Sequence, residues 1–284
     1  MLKRIREAAF ARLAPPDLYV RRTFHRRTGK VLDLDAPKTL SEKIQWLKLF
    51  YRSPLLNTLV DKHAVKGHIE ACVGAEFCVP TAAVFDEADD IILSALPDAL
   101  ALKATHASGW NIIETDKKKL DEQQVQAYFR FYLRKNYYTY SKEFAYKDVK
   151  PRVICEPLLF DENGELPMDY KVFCFGGQAL YTQVDHDRFT NHTRAFYDRS
   201  WNKMAFSVGY PASDVLLERP QEFDRMLAAS ERLARDLPFM RVDFLLAGNR
   251  PYINELTLYP GNGMEKFTHA EWDLKLGDLI ELSD

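Results

Sequence analysis

Two acids near the end of the chain, Asp243 and Glu255, carry its strongest chemical signal. Arg241-Val242-Asp243 lies in one apolar stretch and Glu255-Leu256-Thr257 in the next, with Gly248-Asn249 between them, a composition that favours a tight hairpin turn. Residues two apart on a strand share a face. A turn centred on Asn249 sets Asp243 opposite Glu255 and Arg241 opposite Thr257, since the members of each pair lie equally far from that centre. Neighbouring strands lie about 4.8 Å apart, so the two carboxylates can share a divalent cation. Carboxylate oxygens suit Mg2+, which holds phosphates through its remaining positions. Arg241 adds a cation for charge developing on a phosphoryl group. The bland alternative is a surface salt bridge from Arg241 to Glu255. Against it, Val242, Phe244 and Leu256 predict a half-buried sheet, where facing acids are costly without a metal.

Other constellations are weaker alone. Lys103 ends an apolar strand and precedes the turn His106-Ala107-Ser108-Gly109-Trp110-Asn111, whose backbone N–H groups can meet phosphate oxygens. No GxxxxGK[ST] motif occurs. Asp61-Lys62 opens a helix 41 residues before Lys103. The polar run Asp185-His186-Asp187-Arg188-Phe189-Thr190-Asn191-His192, with Arg194 beyond it, follows the apolar strand 179–184. Arg188 and Arg194 suit a substrate carboxylate or an acyl phosphate. The same run supports a rival reading: Asp185-His186-Asp187 is an Asp-x-Asp of the kind that holds the metal of a sugar nucleotide in glycosyltransferases. That reading leaves Lys62, Lys103 and the last hairpin without a role. A third reading, a non-catalytic carbohydrate binder, would use Trp46, Trp110, Trp201 and Trp272 for stacking, although scattered tryptophans more often serve a core. His25, His63 and His269 have no metal-ligating companions.

The elements that must position these residues alternate in type. Leu2, Ile5, Ala9 and Leu13 have helical spacing, and Pro15-Pro16 is expected to stop that helix. Ile44, Leu47 and Phe50 predict a second helix with Ser41 as its N-cap. Residues 62–72 read as helix, 80–85, 100–104 and 112–113 as short strands, and the tyrosine-rich 118–146 as helix. Strands follow at 152–160, 170–175 and 178–184, the last two joined by Gly176-Gly177; then come a helix at 221–236 and strands at 240–246 and 251–256. Mixed strands and helices in this order predict an α+β fold.

The 284 residues, 46% hydrophobic and 28% charged, suit a soluble globular chain of one or two domains. No apolar run approaches the roughly 20 residues that span a bilayer, and no signal-peptide pattern opens the chain. Four cysteines without a CxxC pair predict free thiols in a reducing, cytoplasmic setting. Charge is uneven. Residues 1–30 hold nine Lys/Arg and two acids, net +7, so the remaining 254 carry −9. A basic arm on an acidic body suits an anionic partner, whether membrane, polyanion or acidic polysaccharide, or is simply a solvated helix.

In order, Lys62, Lys103 with its small-residue loop, Glu156 in the strand 153–160, Asp169-Tyr170-Lys171, Arg241-Val242-Asp243 and Glu255-Leu256-Thr257 resemble an ATP-grasp ligase. The segments SEKIQWLKL, DKHAVK, DYKVFCFGG, QVDHDRFTNHTRAFYD, FMRVDF and ELTLYPGNG are similar to the TupA-like branch, associated with teichuronopeptide and other cell-surface polysaccharide biosynthesis. The resemblance spans roughly residues 38–284. It implies an α+β ATP-grasp fold, two lobes with antiparallel sheets clasping ATP, divided as a basic helical extension (1–60), an N-lobe with lid (61–150) and a C-lobe with the metal site (151–284). It implies that Lys62 and Lys103 contact the nucleotide phosphates, that His106, Ser108, Gly109, Trp110 and Asn111 close over them, that Glu156 and the backbone near Leu158 and Leu159 hold adenine, and that Asp169 binds ribose. Lys171, Arg241 and Arg188 become the catalytic cations, and Asp243, Glu255 and Thr257 the Mg2+ ligands. The family's usual third ligand is Asn, and Thr257 departs from it. Only 61 residues precede Lys62, too few for the α/β domain that usually precedes an ATP-grasp, which points to the basic arm as part of the acceptor surface.

The implied activity is ATP-dependent joining of a carboxylate to an amine through an acylphosphate. The expected partners are ATP, Mg2+, an amine or amino acid, and an acidic saccharide or peptide acceptor. Peripheral contact with the inner face of the membrane through the basic arm is also expected, and no nucleic acid.

Overall fold

The computed structural model describes residues 9–186 and 191–282. The chain forms two compact units, residues 53–167 and residues 1–52 with 168–284. These bounds differ from a division at 60 and 150, because the strand Val153–Pro157 pairs with strands of the first of these units.

In residues 53–167 the strands β1 (Ala83–Phe85), β2 (Leu100–Ala104), β3 (Asn111–Glu114) and β4 (Val153–Pro157) form an antiparallel sheet in the order β1-β4-β2-β3. Leu100, Leu102, Ala104, Val153 and Cys155 supply the buried face. Across it lies the helix Glu122–Leu133, whose Val125 and Phe129, one turn apart, are both buried. Asp121 caps that helix by accepting the Gln124 N–H at 2.8 Å. The expected helix over 118–146 is in fact this one and a single turn, Tyr138–Ser141.

The other unit is built on a five-stranded antiparallel sheet, in the order β7-β6-β5-β8-β9. Its strands are β5 (Asp169–Phe175), β6 (Gln178–His186), β7 (Thr193–Asp198), β8 (Phe239–Ala247) and β9 (Arg250–Thr257). Every residue of β5 is buried, as expected of a central strand covered on both faces. The helix Phe223–Ala234 presents Phe223, Met226, Leu227, Ser230 and Leu233 as one buried stripe. Trp201, stacked on Tyr197 and edge-on to Phe223, joins it to the sheet. The helix Leu40–Phe50 comes down on the other face, where Leu40 and Ile44 line a small cavity with Phe173, Gln183 and Phe196.

Three features depart from the sequence expectations. Pro15-Pro16 does end the preceding helix, at Leu13, but Pro16 also opens one that the sequence pattern does not announce, α1 (Pro16–Thr28), because proline lacks an N–H that the first turn does not need. The cap of the helix Leu40–Phe50 is Thr39, not Ser41: its hydroxyl accepts from Glu42 N and the Glu42 carboxylate accepts from Thr39 N, a reciprocal capping box. Strand β7 carries too many polar residues to read as a strand, yet Ala195 to Tyr197 are buried. The tryptophans proposed for sugar stacking go to packing: Trp201 as above, Trp272 stacked on Phe206 at 4.4 Å, and Trp46 5.6 Å from the Phe50 ring centre and against the cluster that contains Val20 and Phe24. All four cysteines are free thiols.

Candidate active site

The β8–β9 hairpin turns through Gly248 and Asn249, both at φ +55°, the left-handed pair that a two-residue type I′ turn requires. Ala247 faces Arg250 and Phe244 faces Ile253, so the hairpin is centred between Gly248 and Asn249, half a residue before the expected centre. A bulge then adds Asn254 to β9 and shifts the register, and beyond it Asp243 faces Glu255 and Arg241 faces Thr257. Without that bulge the two acids would point to opposite faces.

Asp243 is buried and Glu255 half-buried. Arg241 grips Asp243 with Nε and Nη2 each 2.6 Å from one carboxylate oxygen, and Nη2 also donates to the Thr257 hydroxyl at 3.2 Å. Burial pushes the Asp243 carboxyl up, against the pull of Arg241 and Lys171. The Arg241 guanidinium is held charged because Asp243 outweighs the cost of its burial. Two opposed carboxylates on one face fit the one or two protein ligands that Mg2+ takes alongside phosphate oxygens, and a dication would offset the burial of Asp243. Thr257 fits less well, since it offers a neutral hydroxyl that also accepts from Arg241, a poorer ligand than a carboxylate. Among the described residues no group of three or more His, Cys, Asp or Glu forms a closed metal site.

The charged row continues across the sheet. Lys171, the β5 residue opposite Asp243, donates to Asp169 and, at 2.9 Å, to Asp185. Asp185 also receives Arg194 Nε at 2.6 Å and Gln183 Nε2 at 3.0 Å, with the His192 ring nitrogen 3.1 Å away. Burial works to raise the Asp185 carboxyl, but Lys171 and Arg194 prevail and hold it far below the usual carboxylate range. Asp185 is thus the hub of a buried ion-pair network inside the sheet, which accounts for it without an Asp-x-Asp metal site. Asp187 and Arg188 lie outside the described residues. Arg194 is itself buried, donating to the Val208 carbonyl at 2.6 Å and to Glu265 at 2.9 Å, with its guanidinium 4.6 Å from the Tyr210 ring centre. It serves the sheet and is not presented to a substrate. Asp169, expected on ribose, is likewise buried against Lys171.

Beyond Thr257 the chain turns through Gly261, Asn262 and Gly263, three successive residues at φ +55°, +57° and +62°. Gln45 Nε2 donates to the Asn262 and Gly263 carbonyls at 2.6 and 3.1 Å, and Lys48 to the Asn262 side chain. SEKIQWLKL and YPGNG therefore meet physically. The first supplies the donors and the second the glycines, and a Cβ on Gly261 would lie 2.2 Å from Glu265 Cγ.

In residues 53–167 the candidates gather around Glu156. Lys103 Nζ lies 2.7 Å from its Oε2, and Lys66 pairs with Oε1 while donating to the Val79 carbonyl at 2.6 Å. Burial alone would raise the Glu156 carboxyl; Lys103 and Lys66 together bring it below its ordinary range. Lys66 stands in DKHAVK but has no sequence signal of its own, since an isolated helical lysine reads as solvated. Lys62 donates its backbone N–H to the Thr105 carbonyl at 3.3 Å and its Nζ to the Ala107 carbonyl, so it grips the loop that follows Lys103. Just ahead of the helix Ala64–Val73, Asp61 accepts from His63 N at 2.9 Å and Ala64 N at 3.3 Å, and it pairs with Arg152 at 3.1 Å.

Within the expected phosphate loop the roles divide. His106 is buried with a ring nitrogen 3.3 Å from the Tyr132 carbonyl, and burial lowers its pKa. Trp110 packs 4.6 Å from the Tyr132 ring centre. These two fasten the loop, while Ser108, Gly109 and Asn111 form its exposed tip. Leu158 donates its N–H to the Ala99 carbonyl at 3.1 Å. That donor extends the sheet and is not available to a base; Leu159 follows it.

No curated protein matches the chain significantly. Among solved structures the chain is similar to D-alanine–D-alanine ligase from Bacillus anthracis complexed with ATP, at 17% identity and TM-score 0.42 over 72% of this chain and 56% of that one. It is similar to the ATP-grasp ligase PsnB complexed with minimal precursor, at 12% identity and TM-score 0.42 over 73% and 54%. It is also similar to D-cycloserine synthetase DcsG, at 14% identity and TM-score 0.42 over 72% and 64%. The chain thus spans less than two thirds of each of these proteins. A family profile described as TupA-like ATPgrasp matches residues 42–281. That match takes in both antiparallel sheets and every acid and lysine described above, and the chain, α+β with the ATP-grasp fold, belongs to the TupA-like ATP-grasp family.

Proposed function

We propose that the chain is an ATP-dependent carboxylate–amine ligase acting through an acylphosphate. The observation that carries this reading is the pair of opposed carboxylates, Asp243 and Glu255, with Arg241 beside them on one face of the sheet. A substrate carboxylate oxygen bonds to the γ-phosphorus of ATP as the bridging P–O bond breaks and ADP leaves. An amine nitrogen then bonds to the acyl carbon, the C–O bond to phosphate breaks, and the amine loses a proton, giving an amide and inorganic phosphate. Positioning and charge neutralisation suffice for such transfers.

Asp243 and Glu255 would hold Mg2+, which supplies charge neutralisation at the phosphates when bound. Arg241 offers its guanidinium to the charge that builds up in transfer. Lys62, Lys103 and the exposed Ser108–Asn111 tip would cradle phosphates, with Glu156 as acceptor for the exocyclic amine of adenine. Lys171 holds Asp169 and Asp185, and we assign it a positioning role in the sheet. The proposed acceptor is an acidic saccharide, such as a uronic acid, or an acidic peptide of a surface polymer, and the proposed amine is an amino acid.

Oxygen-18 placed in the substrate carboxylate tests the acylphosphate directly. One labelled oxygen is expected in the inorganic phosphate released. Amide formation without label in phosphate would overturn this route, and turnover of nucleotide sugars without ADP release would favour a glycosyltransferase.

A further inference from the structure

Helix α1 carries a cationic face that none of the chemistry above uses. Val20 and Phe24 fix it against Leu32, Leu34, Leu49 and Met264. At 3.6 residues per turn, Leu18, Arg22, His25 and Arg26 fall on the side away from those two, at i, i+4, i+7 and i+8, and all four are exposed. Arg12, Arg27 and Lys30 are exposed around them. Arg21 turns inward, donating to the Leu32 carbonyl at 2.7 Å, while Lys30 reaches Asp273 at 3.6 Å and the Arg22 guanidinium lies 4.4 Å from the Phe10 ring centre. Across residues 10–31 six Arg/Lys face a single acid, Asp17.

Cations of this density suit any polyanion. The side chains among them discriminate. Leu13, Leu18 and Val31 are 84%, 50% and 83% exposed. Aliphatic side chains add nothing on a sugar polyanion and gain only where a hydrocarbon layer lies beneath the charged groups. The rest of the chain carries net −9, which an anionic surface repels, so charge draws the basic segment toward such a surface. The segment also lies outside residues 42–281, which the family profile matches.

We propose that α1 and its flanks, through Arg22, Arg26, Leu13 and Leu18, form a docking surface for a bilayer rich in anionic lipid. This does not depend on the ligase reading, and each can fail without the other.

The test is flotation of the full chain with vesicles of phosphatidylglycerol and phosphatidylcholine, against vesicles of phosphatidylcholine alone, at low and high salt. Binding to the anionic vesicles is expected to be at least about tenfold tighter and to weaken with salt, as exposed charges do over a Debye length of about 8 Å at physiological ionic strength. Arg22→Glu with Arg26→Glu is expected to abolish it. Leu13→Ser with Leu18→Ser is expected to weaken vesicle binding several-fold while leaving binding to soluble polygalacturonate unchanged. Unaltered thermal melting of both double variants guards against misfolding. Equal binding to both vesicle types, no binding to either, or vesicle binding indifferent to the leucine substitutions would overturn the proposal. The last, with tight polygalacturonate binding, would make the surface a polysaccharide site instead.

Discussion

At the scale of single residues, the pairing most open to test is Glu156 with its two lysines. Lys103 and Lys66 reach opposite oxygens of one buried carboxylate. If Lys103 is recruited to phosphates, Lys66 remains to keep Glu156 charged and in place. Lys66→Met is therefore expected to weaken adenosine and ATP alike, by about tenfold, the size of one lost charge-assisted hydrogen bond. Lys103→Ala is expected to weaken ATP far more than adenosine. Calorimetric titration with both ligands separates the two. Unchanged adenosine affinity in Lys66→Met would contradict this division of labour, and Lys66→Arg should restore most of the loss. Lys66 was illegible in sequence because its partner, Glu156, comes 90 residues later. Asp243 and Glu255 were legible because a hairpin is local and its register can be counted. The count succeeded although the turn is centred half a residue early, since the Asn254 bulge makes up the difference.

At the scale of elements, the charged row across β5, β6 and β7 holds the sheet in register as well as lining it. Asp185 sits at its centre, with a carboxyl pulled well below the ordinary range by Lys171 and Arg194 against the cost of burial. A depressed folded pKa means that its stabilisation is complete above the usual aspartate pKa of about 3.9 and is lost as pH falls below it. Asp185→Asn leaves Lys171 and Arg194 short of a counter-charge and is expected to cost about 3–5 kcal/mol at neutral pH. Urea unfolding at neutral pH and at low pH checks this. The gap between variant and wild type should narrow at low pH, and a gap that stays constant would contradict it.

The loop after β9 makes a second element-scale case. Gly261 at φ +55° lies where a Cβ would meet Glu265. Gly261→Ala is expected to cost at least about 1–2 kcal/mol from the left-handed backbone alone, read as a fall in thermal midpoint; a neutral substitution would show that the loop is not held as described. Its glycines were visible in sequence. Their reason was not, because Gln45, Lys48 and Glu265 reach the loop from outside the hairpin. Strand β7 was missed for a related cause: Arg194 is polar in sequence, yet its charge is met inside the fold by Asp185 and Glu265.

At the scale of the whole molecule, the α+β class and the hairpins followed from local patterns, whereas the boundaries of the two units did not. β4 belongs with residues 53–167 because its partners are β1 and β2, pairings distant in sequence that no local pattern encodes. No described helix is long and apolar enough to cross a membrane. The central claim is that Asp243 and Glu255 serve ATP-dependent ligation, and ADP release measured over a panel of uronic acids and acidic peptides crossed with amino acids tests it most directly. The account predicts ADP release that requires both a carboxylate and an amine and that falls at least about a hundredfold in Asp243→Asn, about 2.7 kcal/mol of transition-state stabilisation, with the variant still folded. ADP release that survives Asp243→Asn unchanged would contradict it.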